Sequence, residues 1–388
     1  MKQVALGKMP QLIDEEFKFH PGYIFLNHAA ISPWPQRTAN IVSEFAKQNV
    51  VTGPLYYPEW LIVEQKLREQ LKDLINAPSP DDIALLKNTS EGLSLVAYGL
   101  NWNVGDNIVS TAQEFPSNRI VWESLADRGV HLREVNLSNV TVTPEALLEQ
   151  ACDDSTRLLA ISSVQFASGL TLDLNRLGSF CKAHKILFCI DAIQSIGALQ
   201  LDVQSCNADF VIADGHKWMM APEGLALFYC RAELREKLRL HEFGWHMCMN
   251  QSDYDNRNWQ PAPTARRFEC GSPNMLGVHA MSSSVGLLLE IGLPAIEKRI
   301  CEIGRYLSTQ LSNIDGIEIL DNNFRSGSIV AFKFEQIPSN DLYNLLVENN
   351  IICAIRSGAI RFSPHFYTNN SQIDSAIKTV ERIANNHT

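Results

Sequence analysis

Long apolar runs are missing from this sequence of 388 residues. No window approaches the ~18 apolar residues that span a bilayer. Residues 1–17 also lack the apolar h-region of a signal peptide, because the short run Val4–Leu6 is followed by acidic residues. We therefore expect a cytoplasmic protein without a membrane partner.

Long basic segments are missing as well, and the formal net charge is −10 at pH 7. A protein of this charge is repelled by the phosphates of nucleic acids, so we expect no nucleic-acid partner. An acidic surface still permits a local cationic pocket for a phosphate or a carboxylate.

The nine cysteines form no C-x-x-C pair; they lie at positions 152, 181, 189, 206, 230, 248, 270, 301 and 353. Scattered cysteines in a reducing compartment are mostly small buried hydrophobic residues. The string closest to a zinc-protease motif, His241 to His246, places its second histidine one residue too far along a helix. We expect no catalytic metal.

Short apolar runs alternate with amphipathic stretches from about residue 80 to 230. Such runs, with helical patterns between them, indicate parallel β-α-β units. The runs are Ile83–Leu86, Asn107–Thr111, Leu132–Leu137, Leu158–Ser163, Ile186–Ile190, Phe210–Ala213 and Leu225–Tyr229. We predict an α/β fold with a doubly wound, mostly parallel sheet that binds its ligand at the carboxyl ends of the strands.

A chain of this length exceeds what one hydrophobic core usually supports, so a second unit is expected. The polar, proline-containing stretch Tyr254–Pro263 is typical of a crossing between domains, and a long helix at about Asn274–Ile291 follows it. The predicted units are a large domain (20–262), a small α+β domain (263–388) and an N-terminal segment (1–19) that packs with the small domain.

Two ionisable residues lie in the polar segments that follow the ends of predicted strands. Asp191 ends the run Ile186–Ile190, and Lys217 follows the run Phe210–Ala213. A buried aspartate is costly unless a cation meets it, and a desolvated lysine amine loses its proton easily. Together they suit pyridoxal phosphate, which needs a lysine for its Schiff base and a carboxylate beside its pyridine nitrogen. An Asp–Lys ion pair on a solvated rim is the alternative.

A phosphate site is predicted between the strand Ile83–Leu86 and a helix at about Glu91–Leu100. Thr89 and Ser90 place hydroxyls and free backbone N–H groups at the helix N-terminus. A helix-capping role for Thr89 or Ser90 explains the same residues.

Two further residues are candidates for ligand contacts. Phe115 follows the strand Asn107–Thr111 and could stack on a planar ring, with core packing as the alternative. Arg361 could hold a substrate carboxylate in a bidentate fork, or it could be an ordinary surface arginine.

These sequence motifs, taken together and in their order along the chain, resemble the class V aminotransferase family. This family includes cysteine desulfurases, kynureninase and isopenicillin N epimerase-like enzymes. The resemblance runs from Tyr23–Ala30 to Arg361–Tyr367, which is nearly the whole chain. Its most specific parts are Ala213–Trp218 with Pro222–Gly224, and Arg267–Asn274. It implies the aspartate-aminotransferase fold (fold type I), pyridoxal 5′-phosphate as cofactor, and a homodimer with active sites at the subunit interface.

The resemblance also implies roles for individual residues. Lys217 is similar to the Schiff-base lysine, Asp191 to the partner of the pyridine nitrogen, and Gln194 to the residue that hydrogen-bonds the ring hydroxyl. The other implied cofactor contacts are Thr89, Ser90 and His216 at the phosphate, Ser272 at the phosphate of the neighbouring subunit, and Phe115 and Gln165 at the ring. The implied substrate contacts are Arg361, Asn27 and His28.

Three departures separate this chain from cysteine desulfurases. Asp214 stands where they carry a phosphate-binding serine, and Phe115 replaces their stacking histidine. The segment Ile351–Arg361 is too short for the mobile loop that carries their nucleophilic thiolate, and its one thiol, Cys353, lies in an apolar strand pattern.

Three functions follow from these residues. The first is chemistry at Cα of an amino acid: transamination, or an epimerase or lyase reaction. The second is cysteine desulfuration or selenocysteine lysis, which needs a thiolate that the segment near Arg361 does not offer. The third is a non-catalytic binding protein of the same fold, against which the retention of Lys217, Asp191, His216 and Arg361 together argues.

Overall fold

The computed structural model of the protein describes residues 9–138, 142–320 and 327–387. The strands are β1 (Ile24–Phe25), β2 (Ile83–Leu86), β3 (Asn107–Thr111), β4 (His131–Val135), β5 (Thr156–Ser162), β6 (Leu187–Asp191), β7 (Phe210–Asp214), β8 (Ala226–Cys230), β9 (Ile317–Ile319), β10 (Val330–Phe334), β11 (Ile351–Ile352), β12 (Ala354–Arg356) and β13 (Ala359–Phe362). The α-helices are α1 (Met9–Glu16), α2 (Gln36–Thr52), α3 (Tyr57–Leu74), α4 (Thr89–Gly99), α5 (Ser117–Glu123), α6 (Pro144–Ala151), α7 (Leu174–His184), α8 (Ala232–Arg235), α9 (Met275–Ile291), α10 (Leu293–Ser312), α11 (Ser339–Glu348) and α12 (Asn370–Asn385).

A seven-stranded sheet forms the centre of the protein, in the order β2-β8-β7-β6-β5-β3-β4. Six of its strands run in one direction, and β8 is antiparallel to both of its neighbours. The predicted α/β class and mostly parallel sheet are therefore confirmed. A parallel direction for the last apolar run is wrong, because the short link between β7 and β8 contains no crossover helix and the chain turns straight back.

The two faces of this sheet are both buried. Along β7, Val211 and Ala213 belong to one apolar cluster while Phe210 and Ile212 belong to another. Side chains alternate between the faces of a strand, so a continuous apolar run fits a sheet that is covered on both sides. This explains why the strands of the centre could be recognised as uninterrupted apolar runs.

A smaller antiparallel sheet, in the order β12-β13-β10-β9, lies in the C-terminal part of the chain and has its own apolar cluster. The N-terminal part joins it, because β1 pairs with β11 and Phe17 stacks on Tyr367 with their ring centroids 3.7 Å apart. Helix α9 packs on α2 and α3 instead. The division at residues 262 and 263 stays a prediction.

Among the described residues, no single helix is long and apolar enough to cross a membrane. Helices α9 and α10 meet that test only as a pair, and they are bent by 83° where they join.

Gly197 lies in the segment after β6 and packs closely against the backbone that follows Lys217. Its φ is +99°, and a Cβ atom at this position would lie 2.3 Å from the carbonyl oxygen of Trp218. A side chain here would both strain the backbone and displace the segment that carries Lys217.

We expect Gly197→Ala to lower the free energy of unfolding by about 2–4 kcal/mol, from left-handed backbone strain plus the clash with Trp218. Denaturant unfolding measures this directly. Gly105→Ala is the matched control, since Gly105 has a φ of +94° but no atom within 4 Å of the added Cβ. It should lose only about 1 kcal/mol. Equal losses in the two variants would show that the contact with Trp218 is not tight.

Candidate active site

The predicted site residues of the large sheet gather at one edge, where the parallel strands end. Phe115 follows β3, Gln165 follows β5, and Asp191 is the last residue of β6. Lys217 lies shortly after β7. Because the strands are parallel, these residues share the carboxyl edge of the sheet, the ligand-binding edge of such folds.

Lys217 is a buried amine with a shifted proton affinity. Its pKa is lowered to about 8: desolvation and the charges of Arg361 and Arg356 lower it, while the charges of Asp191 and Asp214 raise it. Its Nζ atom lies 5.6 Å from the centroid of the Phe115 ring. The amine is therefore far more available as a nucleophile near neutral pH than an exposed lysine.

Asp191 is the buried carboxylate of the pair. Its pKa is raised to about 7, mainly by desolvation and also by the charges of Glu114 and Asp214. Two interactions lower the pKa of Asp191. The backbone N–H of Ile193 donates to Asp191 Oδ1 at 3.1 Å, and the charge of Lys217 stabilises the ionised carboxylate. A protonated ring nitrogen beside this carboxylate would favour its ionised form.

Gln194 is held with part of its amide unused. Its Nε2 donates to the carbonyl oxygen of Ala29 at 3.1 Å, and its Oε1 accepts from Trp218 Nε1 at 2.9 Å. One amide N–H and one lone pair are left, which suits the predicted contact with a ring hydroxyl.

The N-terminus of α4 has the features of an anion site. Asn88 caps the helix by accepting from the backbone N–H of Glu91 at 2.9 Å, so a capping role for Thr89 or Ser90 is wrong. The Thr89 hydroxyl is buried and has no partner among the described residues. The Ser90 hydroxyl is exposed and donates to Ser117 Oγ at 2.8 Å. A phosphate would supply the acceptor that Thr89 lacks.

The Asp214 carboxylate at the end of β7 is turned toward His216. Its Oδ1 lies 3.0 Å from His216 Nδ1. The carboxylate is thus paired with the imidazole of the residue that the resemblance implies at the phosphate.

Arg361 is a buried guanidinium with unused donors. It lies in β13, is 1% exposed, and donates from Nη1 to the carbonyl oxygen of Phe166 at 2.6 Å. Its Nε and Nη2 atoms are buried without a partner among the described residues. Desolvation, together with the charge of Arg356, lowers its pKa to about 9. A carboxylate would satisfy both N–H groups in a bidentate fork.

The three remaining predicted contacts, Asn27, Ser272 and His28, differ in burial and in whether they have polar atoms free to bind a ligand. Asn27 has a buried Oδ1 without a partner among the described residues, whereas Ser272 is exposed just before α9. His28 is fully buried, with Nδ1 2.7 Å from the carbonyl oxygen of Ser363 and Nε2 2.6 Å from the Tyr367 hydroxyl. Burial lowers its pKa to about 3. Neither ring nitrogen of His28 is free, so the geometry gives no support to its predicted substrate contact.

A buried carboxylate that the sequence reasoning missed, Glu114, lies beside this group. It accepts hydrogen bonds from Thr111, Asn118, Ser162 and Gln165. The available signal was an acidic residue three positions after the end of β3, at the same edge of the sheet as Asp191.

The segment before Arg361 forms a tight hairpin. Strands β12 and β13 are joined by Ser357 and Gly358, whose φ angles are +49° and +72°. Cys353 is buried ahead of this hairpin, and desolvation raises its pKa to about 12. This thiol has none of the properties of a nucleophile.

One group of side chains among the described residues has the spacing of metal ligands. The ligand atoms of Glu64, His246 and Glu269 lie within 4.8 Å of one another. Arg68 already pairs with both carboxylates, at 2.5 Å from Glu64 and 2.6 Å from Glu269. The expectation that no metal takes part in catalysis stays a prediction.

The residues present fit pyridoxal phosphate. Lys217 provides the amine for its aldehyde, Asp191 the carboxylate for its ring nitrogen, and Thr89 with the N-terminus of α4 the donors for its phosphate. Lys217 and Asp191 are costly to bury as they stand, and the cofactor carries the groups that each requires.

We expect the amine of Lys217 in the apoprotein to react with a midpoint near pH 8, the pKa set by its burial. The rate of its reductive alkylation by a small aldehyde, followed by mass spectrometry across a pH series, measures this midpoint. Asp191→Asn should lower the midpoint, because it removes a negative charge that stabilises the ammonium form. Lys237 is the control for an ordinary surface lysine. A Lys217 midpoint equal to that of the control would contradict the assignment.

Comparison with known proteins agrees with this geometry. The sequence matches the model of class V aminotransferases over residues 24–376. It is 30% identical over 384 residues to a probable cysteine desulfurase of Methanothermobacter thermautotrophicus, covering 93% of this chain and 95% of that protein.

Two solved structures show the same fold. The apo cysteine desulfurase of Thermococcus onnurineus superposes with a TM-score of 0.88 at 22% identity over all of both chains. A cystine C–S lyase solved with its product, cysteine persulfide, superposes with a TM-score of 0.87 at 20% identity over 93% of this chain and 98% of that one. The predicted fold type I is thus confirmed, and the chain belongs to the class V aminotransferase family, with pyridoxal 5′-phosphate as its cofactor.

Proposed function

We propose that the protein is a pyridoxal-phosphate lyase that breaks the C–S bond of a cysteine-type amino acid. The observation that carries the amino-acid part is Arg361, a buried guanidinium with two donors that no described residue satisfies and with a charge that acts on Lys217. The names of the relatives favour sulfur chemistry, the function ranked second on the sequence, over transamination.

Arg361 would bind the α-carboxylate of the substrate. A carboxylate accepting from Nε and Nη2 satisfies two buried donors at once and replaces the water that burial has removed. Because the guanidinium is already fixed by Phe166, little conformational entropy is lost on binding. The substrate is thereby oriented with its amino group and Cα toward the lysine.

Lys217 would move the proton. Once the substrate is bound, the amine of Lys217 takes the proton from the substrate Cα. A pKa of about 8 is well matched to this transfer. The bound cofactor supplies an electron-accepting ring that stabilises the negative charge left at Cα. Asp191 would keep the ring nitrogen protonated, and the protonated ring can accept the electrons from Cα.

The fate of the sulfur follows from the missing nucleophile. The tight hairpin and the buried Cys353 offer no thiol to attack the substrate sulfur near Arg361. We therefore infer an elimination: the Cα–H and Cβ–S bonds break, a Cα=Cβ bond forms, and the sulfur leaves with the electron pair of the Cβ–S bond. Cysteine would release sulfide, and cystine would release cysteine persulfide. The 2-aminoacrylate that remains takes up water and yields pyruvate and ammonia, so the reaction is redox-neutral and needs no protein thiol.

The predicted homodimer and the cytoplasmic location stay proposals. The exposure of Ser272 suits a contact with the phosphate of a second subunit.

We expect the purified holoenzyme to release sulfide or persulfide together with pyruvate from L-cysteine or L-cystine. Lys217→Ala should abolish the reaction, because the proton-transferring amine is gone. Cys353→Ser is the matched control and should keep wild-type turnover. Accumulation of pyridoxamine phosphate would instead indicate transamination, and loss of an α-deuteron without net product would indicate epimerisation. Loss of turnover in Cys353→Ser would restore a persulfide mechanism.

We expect Arg361→Lys to lower kcat/KM by about 100-fold, mostly through KM, because a lysine cannot form the bidentate fork. Steady-state kinetics with cysteine should be compared with kinetics on cysteamine, which has no carboxylate. The variant and the wild type should act on cysteamine at similar rates. An equal loss on both substrates would show that Arg361 supports the fold and does not bind the carboxylate.

A further inference from the structure

Glu114 has an unusually complete set of hydrogen-bond donors for a buried carboxylate. Its Oε1 accepts from Thr111 Oγ1 at 3.0 Å, from the Ser162 backbone N–H at 2.8 Å and from Gln165 Nε2 at 3.0 Å. Its Oε2 accepts from Asn118 Nδ2 at 3.0 Å and from the Ser162 hydroxyl. Five donors saturate an ionised carboxylate, whereas a protonated one could not accept them all.

These donors come from several elements of the site. Thr111 ends β3, Ser162 ends β5, and Asn118 lies in the first turn of α5. No ion pair with Glu114 occurs in the described part of the chain, so neutral donors alone hold this charge. The carboxylate thus ties together the ends of two neighbouring strands at the edge where the cofactor binds.

The network fixes the orientation of Gln165. Its Nε2 donates to both Glu114 Oε1 and Thr111 Oγ1, so the nitrogen must face these acceptors. Its Oε1 is left buried without a partner in the described segments. Glu114 therefore turns Gln165 into an acceptor for a donor that the described residues do not provide.

The charge of Glu114 reaches Asp191. Desolvation is the largest effect that raises the pKa of Asp191, and the charge of Glu114 also raises it. A carboxylate with a higher proton affinity holds the proton between itself and a ring nitrogen more strongly. The ionisable groups around Lys217 and Asp191 are Glu114, Asp214, His216, Arg356 and Arg361.

We propose that Glu114 is a positioning residue of the cofactor site, which fixes the amide of Gln165, holds the turn that carries Phe115, and supplies a second negative charge near Asp191. This inference rests on the cofactor site of the proposed function but not on C–S bond cleavage. It can therefore fail or succeed whatever reaction the enzyme catalyses.

The charge is tested by the pH dependence of the visible absorption of the holoenzyme. Glu114→Gln should lower the pH midpoint of the spectral change by about 0.5–1 unit, since removing a nearby anion destabilises the protonated form. Glu114→Asp keeps the charge and should keep the midpoint. Glu145→Gln, which changes a buried carboxylate of α6, is the matched control and should also keep it. An unshifted midpoint in Glu114→Gln would overturn the electrostatic role.

The positioning is tested by cofactor affinity. Gln165→Leu should weaken the binding of pyridoxal phosphate about tenfold, and Glu114→Asp, whose shorter side chain withdraws from Gln165, should weaken it comparably. In the double variant the two losses should not add, because they break the same arrangement. Wild-type affinity in Gln165→Leu, or fully additive losses, would overturn the positioning role. These two variants decide that role even if Glu114→Gln does not fold.

Discussion

A lysine amine and an aspartate carboxylate are buried at one edge of a sheet, and the chemistry of the site depends on the cost of keeping both there. The pKa of Lys217 is lowered to about 8 and that of Asp191 is raised to about 7, with desolvation as the largest cause of both shifts. Each group stabilises the charge of the other, so neither reaches the shift that burial alone would cause. The result is an amine that is both a nucleophile and a base close to neutral pH.

The fold produces this arrangement through strand direction and close backbone packing. Strands β6 and β7 are parallel neighbours, so the residues that follow them emerge side by side. The link after β6 then returns to the segment after Lys217, where Gly197 leaves no room for a side chain. The immediate reversal into β8, which contains no helix, keeps the lysine segment short. Local backbone geometry thus sets the distance between the lysine and the carboxylate.

Sequence patterns predicted the strands and the residues directly after them, because both depend on local features. Apolar runs marked β3, β6 and β7 within one residue of their ends, and the positions of Asp191 and Lys217 followed. The direction of β8 and the five donors around Glu114 could not be predicted in this way. They depend on contacts between residues far apart in the chain, such as Glu114 with Ser162. The burial of His28 against Tyr367 has the same origin.

Among the predicted site residues, residue type alone does not separate a ligand contact from a structural side chain, but hydrogen-bond saturation separates His28 from Arg361. His28 matches the family resemblance, yet both of its nitrogens are satisfied within the chain. Arg361 is equally buried and retains two donors without an acceptor in the described residues. An unsatisfied buried group costs about 1–3 kcal/mol, more if charged, so it persists where a ligand satisfies it during function. Among the predicted site residues, Asn27, Thr89, Gln165 and Arg361 keep such open positions, and the last three suit a ligand with an anionic end, a polar ring and a carboxylate.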